Sequence, residues 1–196
     1  MESKDKILEV ATEIFQLKGK SGARMQEIAD AAGVNKALVH YYFKNKEGLF
    51  QEVFQDLIRK TILPIVDVLK GPESLDSKIA KFIDLYIDTL KENPNMVTFI
   101  IGELQMNKAP FTPSKDMQDT IIAIGKQLQE DTNFISIHPL QFMTTLLGAC
   151  IFPFIAKPMF ANFNQIDSFS FDEFIEERKS ILHQIILNGI KSKKNG

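Results

Sequence analysis

The chain has 196 residues, 44% of them hydrophobic and 24% charged, with a formal net charge of −2 and a pI near 6.0. That length buries a real core in one large domain or two small ones, and the balance excludes a disordered chain or a generally basic nucleic-acid binder. One cysteine, Cys150, excludes an internal disulfide and a multi-cysteine metal site.

The opening MESKDKILEV is charged and lacks the apolar core of a signal peptide. Apolar residues then recur at helical spacing almost throughout. Ile7, Leu8, Ala11, Ile14 and Phe15 form one stripe of a first helix, and Gly19 after Lys18 predicts its stop. A shorter helix turns Met25, Ile28, Ala29 and Ala32 inward and ends at Gly33. Asn35 predicts the cap of a third helix, which carries Leu38, Val39 and Tyr42 and runs to Phe43. Asn45 predicts the cap of a fourth, with Glu47 in its first turn, where the helix dipole favours an acid. Leu49, Val53, Phe54, Leu57 and Ile58 carry this helix toward Pro64, and Gly71-Pro72 reads as a loop.

Further helices are predicted over 74–92, 95–107, 114–132, 138–157 and 172–193, with a loop over 161–172. Pro94, Pro110, Pro113, Pro139 and Pro158 fall at or near their boundaries, where proline is tolerated. No segment shows the period of a strand. Leu140–Ala156 is uncharged, but its 17 residues sit at the short limit for a membrane span, and Gln141, Thr144, Thr145 and Pro153 interrupt it. A helix buried in the core or a dimer interface is expected there, with Cys150 a buried and inert thiol. The predicted fold class is all-α, with about nine helices. Missing targeting signals and disulfides point to the cytoplasm.

Residues 23–46 carry the chemistry. Two short helices meet at Gly33, where a left-handed backbone costs little. Ala29 permits close approach, and Val34 and Val39 fill the angle between the helices. This is the helix-turn-helix pattern, whose second helix enters the DNA major groove by its N-terminal end. Residues 1–50 hold eight basic and seven acidic side chains, so an electrostatic footprint must be local.

Ile28-Ala29, Ala32-Gly33-Val34, Lys36, Tyr42-Phe43, Lys44, Lys46, Glu47 and Leu49-Phe50, in this register, resemble the signature of the TetR family. The resemblance covers about residues 4–54. It implies a DNA-binding domain at 1–46 and an effector-binding and dimerisation domain at 47–196. Carried over by position, it places Lys36, Leu38, His40 and Tyr41 on or near the recognition face. Tyr42 resembles a phosphate-contacting tyrosine, and Lys44 and Lys46 resemble backbone clamps. The residue types suit those roles, since lysine neutralises phosphate and a tyrosine hydroxyl donates to it. Lys36 reaches either phosphate or guanine, while His40 and Tyr41 are suited to base edges or thymine methyls. Where the family often has Thr or Ser before the second helix, this chain has Ala23 and Arg24, so a charged contact replaces a hydroxyl one. Leu38 stands where a small or hydroxylated residue is common, and either packs on thymine methyls or faces the core.

The same resemblance implies a homodimer through the last two helices, a near-palindromic operator and a small-molecule effector, with no membrane partner and no cofactor. An apolar or aromatic effector fits the 16 phenylalanines, most of which serve the core. Phe82, Tyr86, Phe99, Glu103, Gln105, His138 and Phe142 are the candidate pocket residues; Phe111, Phe134, Met143, Phe152 and Phe154 belong to the same aromatic stretch. Glu103 is either solvent-exposed or an inward carboxylate for a cationic ligand. Repression is the commoner mode in the family, and a regulator controlled by a protein partner, or acting without ligand, is the alternative. His40, His138 and His183 show no metal or triad spacing, and no glycine-rich phosphate loop is present, so an enzyme is not expected.

Overall fold

The computed structural model describes residues 2–106, 113–131, 133–160 and 170–192. In chain order the helices are α1 (Glu2–Gly22), α2 (Met25–Ala32), α3 (Lys36–Phe43), α4 (Lys46–Leu57), a π-helical stretch (Ile58–Ile62), α5 (Leu63–Asp67), α6 (Leu75–Glu92), α7 (Met96–Met106), α8 (Lys115–Glu130), α9 (Pro139–Ile155), α10 (Lys157–Phe160) and α11 (Phe171–Ile190). Each of the nine predicted segments has a helix among the described residues, and α5 and α10 are additional. Among the described residues the sole extended pairing is one antiparallel bridge, Phe134 with Lys191. The predicted loop falls largely at 161–169, outside the described residues, as do Pro110 and Phe111.

The chain forms two compact units, Met1–Leu63 with Thr98–Met106, and Pro64–Val97 with Asn107–Gly196. In the first, Gly19 breaks α1 at φ 65°, one turn before its end. Gly33 closes α2 at φ 69°, with Val34 N donating to Ala29 O at 3.0 Å and Gly33 N to Asp30 O at 3.1 Å. Both asparagine caps form: Asn35 Oδ1 accepts from Leu38 N at 2.7 Å, and Asn45 Oδ1 from Gly48 N at 2.9 Å. Ile7, Ala11 and Phe15 of α1, Ile28 and Ala29 of α2, Val39 and Phe43 of α3, and Leu49, Phe50 and Val53 of α4 are buried together. The ring of Phe50 meets Phe15 edge-on at 5.1 Å and Phe99 of α7 at 5.7 Å. Each such side chain contributes about 1.5–3 kcal/mol by leaving water. Past α4 the helix widens, and Leu63 N donates to Ile58 O, five residues back. Pro64 explains the widening: it offers no N–H, and its ring would press on the Lys60 carbonyl in an ordinary α-helical register.

In the second unit α6 packs against α8, α9 and α11. Ile79, Phe82, Ile83, Tyr86, Ile87 and Leu90 of α6 are buried, as are Phe142, Leu146 and Cys150 of α9 and Ile175, Leu182, Ile186 and Ile190 of α11. The helices start as sequence rules require, with Ser74, Ser114 and Ser170 capping α6, α8 and α11. Pro153 lies inside α9 and cannot donate to Ala149 O. The freed carbonyl accepts instead from Arg178 of α11, at 2.7 Å from Nη2 and 3.2 Å from Nε. Gly125 of α8 lets Pro139 come so near that a Cβ there would sit closer than 3.0 Å to its ring. No described helix is long and apolar enough to cross a membrane.

Candidate nucleic-acid interface

The outer face of α3 is set by helical spacing. Lys36, Ala37, His40, Tyr41 and Lys44 are exposed, whereas Val39 and Phe43 point into the core. Tyr41 is 79% exposed, far beyond what an aromatic ring does for stability. Leu38 is half-buried, between the two expectations for it, and its backbone N–H belongs to the Asn35 cap. Tyr42 is also half-buried: its ring packs on Tyr41 at 5.3 Å and Phe43 at 6.1 Å, and its hydroxyl has no hydrogen-bond partner among the described residues. Arg24 occupies the N-cap position of α2 with no side-chain cap bond, and the residue is exposed.

The cations near the reading head differ in their ion pairing. Lys4 pairs with Glu52 at 2.8 Å, Lys20 with Glu47 at 2.5 Å, and Lys18 with Glu27. Lys4 and Lys20 also lie over the rings of Phe43 and Phe50, so these lysines brace the scaffold. Arg24, Lys36 and Lys44 have no ion pair among the described residues. Lys46 does not join them. It is half-buried, and its ammonium donates to the carbonyls of Ala23 at 3.2 Å and Ser21 at 3.4 Å, where α1 ends. The structure therefore brings together Arg24, Lys36, His40, Tyr41, Tyr42 and Lys44 as accessible groups, and turns Lys46 back into the fold.

The backbone at Lys44, and Gly48 beyond the sequence-based set, shape this face. Lys44 has φ 63° and ψ −55°, the one positive φ outside glycine among the described residues. With Asn45 N donating to Phe43 O at 2.7 Å, it sits at the centre of a γ-turn of the rarer hand. Gly48 lies against that turn, and a Cβ there would come closer than 3.0 Å to Phe43 O. The pattern of Asn45 followed by Gly48 was the available signal, because the cap donor at position 48 must approach the turn closely.

The pocket candidates separate. Phe82, Tyr86 and Phe142 are buried in the second unit, whereas Phe99 is buried in the first against Phe50 and Phe54. Glu103 is half-exposed and Gln105 exposed on α7; His138 is exposed and serves as the N-cap of α9, its Nδ1 accepting from Leu140 N at 3.2 Å. Burial pushes the Tyr86 phenol up, with Cys150 adding to the shift, and pushes the Cys150 thiol up to about 12, against a smaller lowering by Arg178. A groove of about 510 Å³ in the first unit is lined by charged groups, including Lys4, Glu52, Asp56 and Arg59, and by none of the pocket candidates. No three metal-binding side chains cluster among the described residues.

The paired short helices, the left-handed glycine between them and the exposed outer face of α3 define a helix-turn-helix protein. Residues 7–53 match the family described as bacterial regulatory proteins, tetR family. A probable HTH-type transcriptional regulator of Bacillus subtilis, YttP, is 46% identical over 54 residues, 28% of this chain and 26% of that protein. The HTH-type transcriptional repressor NicS of Pseudomonas putida is 29% identical over 109 residues, 52% of this chain and 48% of that protein. The matched segments thus span about a quarter to a half of these relatives. A TetR family regulator from Marinobacter aquaeolei superposes with a TM-score of 0.73 at 16% identity over 97% of this chain and 96% of that one. PfmR from Thermus thermophilus does so at 0.62 and 17%, covering 93% and 97%. Residues 7–53 are thus those of a tetR-family DNA-binding region, and the relatives named here are regulators, not enzymes.

Proposed function

We propose that this protein is a dimeric regulator that binds operator DNA through α3 and is released from it by a small hydrophobic effector. One observation carries the DNA-binding reading: Lys4, Lys18 and Lys20 of α1 are paired with acids, while Arg24, Lys36 and Lys44 are exposed without an ion pair among the described residues, around an outward aromatic and imidazole face. Unpaired cations flanking a helix that exposes base-reading groups suit phosphate positioning with direct readout. Lys46 acts one step back, holding the end of α1 in place.

The dimer reading has its own support in the second unit. Phe152 is 58% exposed on α9 and Ile185 60% exposed on α11, with Ile155 and Ile181 beside them in sequence. Gly148 and Gly189 have open space where a side chain would stand. An apolar surface on the last two long helices suits a self-complementary two-fold contact, which would set two reading heads about 34 Å apart or more. Phe82, Tyr86 and Phe142 make the second unit a suitable lining for an apolar effector. Repression rests on the family and on relatives such as NicS, whose name states it.

Titration of purified protein against its own upstream intergenic DNA and a scrambled duplex, at two salt concentrations, tests this. Tight, sequence-selective binding at both salts is expected, with a dimer at micromolar concentration by light scattering. Equal, weak and steeply salt-dependent binding to both duplexes, or a monomer, would overturn it.

A further inference from the structure

We infer that His40 is held in a single tautomer that offers DNA an acceptor, so that it selects the amino group of adenine or cytosine in the major groove. The inference rests on the DNA-binding reading above. His40 Nδ1 lies 2.9 Å from the carbonyl oxygen of Lys44. A carbonyl carries no proton, so the bond exists only when Nδ1 carries the hydrogen. In the neutral ring Nε2 is then bare, an acceptor and not a donor. Nε2 has no partner among the described residues, and His40 stands on the exposed face of α3, beside Tyr41.

The backbone supplies the fixed carbonyl. Lys44 N donates to His40 O at 2.8 Å, which closes α3, and the γ-turn at Lys44 then directs its own carbonyl back toward the ring. Asn45 Oδ1 is committed to Gly48 N, and Gly48 leaves room for the Phe43 carbonyl that closes the turn. Neither end of the turn is free to release the ring, so the tautomer is set by main-chain geometry and not by solvent. In the major groove adenine presents N6–H₂ and cytosine N4–H₂ as donors, whereas guanine O6 and N7 and thymine O4 are acceptors. A bare Nε2 is attracted to the first pair and repelled by the second.

The test begins with selection of randomised duplexes by the full-length protein and by His40→Ala, at about pH 8, where free imidazole is neutral. His40→Ala should relax one position per half-site, and wild type should require adenine or cytosine on one strand there. That base is next replaced by its analogue bearing hydrogen in place of the amino group. Wild type should lose about fivefold in affinity, the worth of one hydrogen bond, and His40→Ala nothing. A requirement for guanine or thymine at that position, no relaxed position, or equal losses in both proteins would overturn the inference while leaving DNA binding intact. No enriched sequence for either protein would overturn the DNA-binding reading as well. His40 is exposed, so unchanged thermal unfolding of the variant is the expected control.

Discussion

Arg178 and Pro153 form a pair whose energetics are open to direct measurement. Pro153 deprives the Ala149 carbonyl of its helical donor, and Arg178 supplies two N–H groups to it from α11. The thiol of Cys150, pushed up to about 12 by burial, stays protonated near neutral pH, so an arginine–thiolate pair does not explain the contact. Arg178→Met keeps most of the apolar stem and removes the donors. It should leave a partly buried carbonyl unmet and cost about 2 kcal/mol. In a Pro153→Ala background the alanine N–H reaches Ala149 O along the helix, and the same substitution should cost about 1 kcal/mol or less. The double-mutant cycle therefore has a coupling of about 1 kcal/mol. Urea denaturation at fixed protein concentration and pH 7 reads it, provided the slopes agree among the four proteins. Equal costs of Arg178→Met in the two backgrounds would refute the account of Arg178 as the substitute donor.

Three further outcomes are expected. Gly48→Ala should destabilise by about 1–2 kcal/mol despite the better helix propensity of alanine, because its Cβ meets a backbone carbonyl that cannot move without opening the turn at Lys44; a raised urea midpoint would contradict this. The Glu47 carboxyl is held below its ordinary 4.5, first by the Lys20 hydrogen bond and then by Gln51. A depressed carboxylate stabilises above its unfolded value and loses that contribution as pH falls through the folded one. Glu47→Gln should hence cost at most about 0.5 kcal/mol at pH 7, since the pair is solvent-screened, and nothing near pH 3; a cost that grew on acidification would be inconsistent with it. Tyr42→Phe should weaken binding to operator and scrambled DNA alike by about fivefold, and Lys44→Gln should reduce the salt slope by about one unit. Altered sequence preference in either would place those side chains on bases instead.

The backbone of the reading head was legible because its punctuation is local. Gly19, Gly33, Asn35 and Asn45 each sit where a left-handed residue or a side-chain acceptor is needed, and each is found there at work. The bend at Lys44 was not legible, since lysine has no preference for positive φ and only tertiary contacts impose it. Lys46 shows a similar limit. Its place in the motif suggests a phosphate clamp, but the carbonyls left without donors at the end of α1 are nearer and claim its ammonium. Arg178 escaped notice for the opposite reason, being 25 residues in sequence from the proline whose lost hydrogen bond it replaces.

The charge pattern explains why composition is a poor guide to this interface. A net charge of −2 would repel DNA if it were evenly spread. Lys4, Lys18 and Lys20 lie with their acids at 2.8 Å or less, so each such pair is nearly neutral beyond a Debye length of about 10 Å. Arg24, Lys36 and Lys44, with Lys6 and Lys46, have no ion pair among the described residues, and their charges are not cancelled in this way. The acidic excess of the rest of the chain then disfavours contacts made by other faces. Neutralising pairs in the scaffold and bare cations at its edge thereby favour one orientation on DNA, a selectivity that a uniformly basic domain would lack.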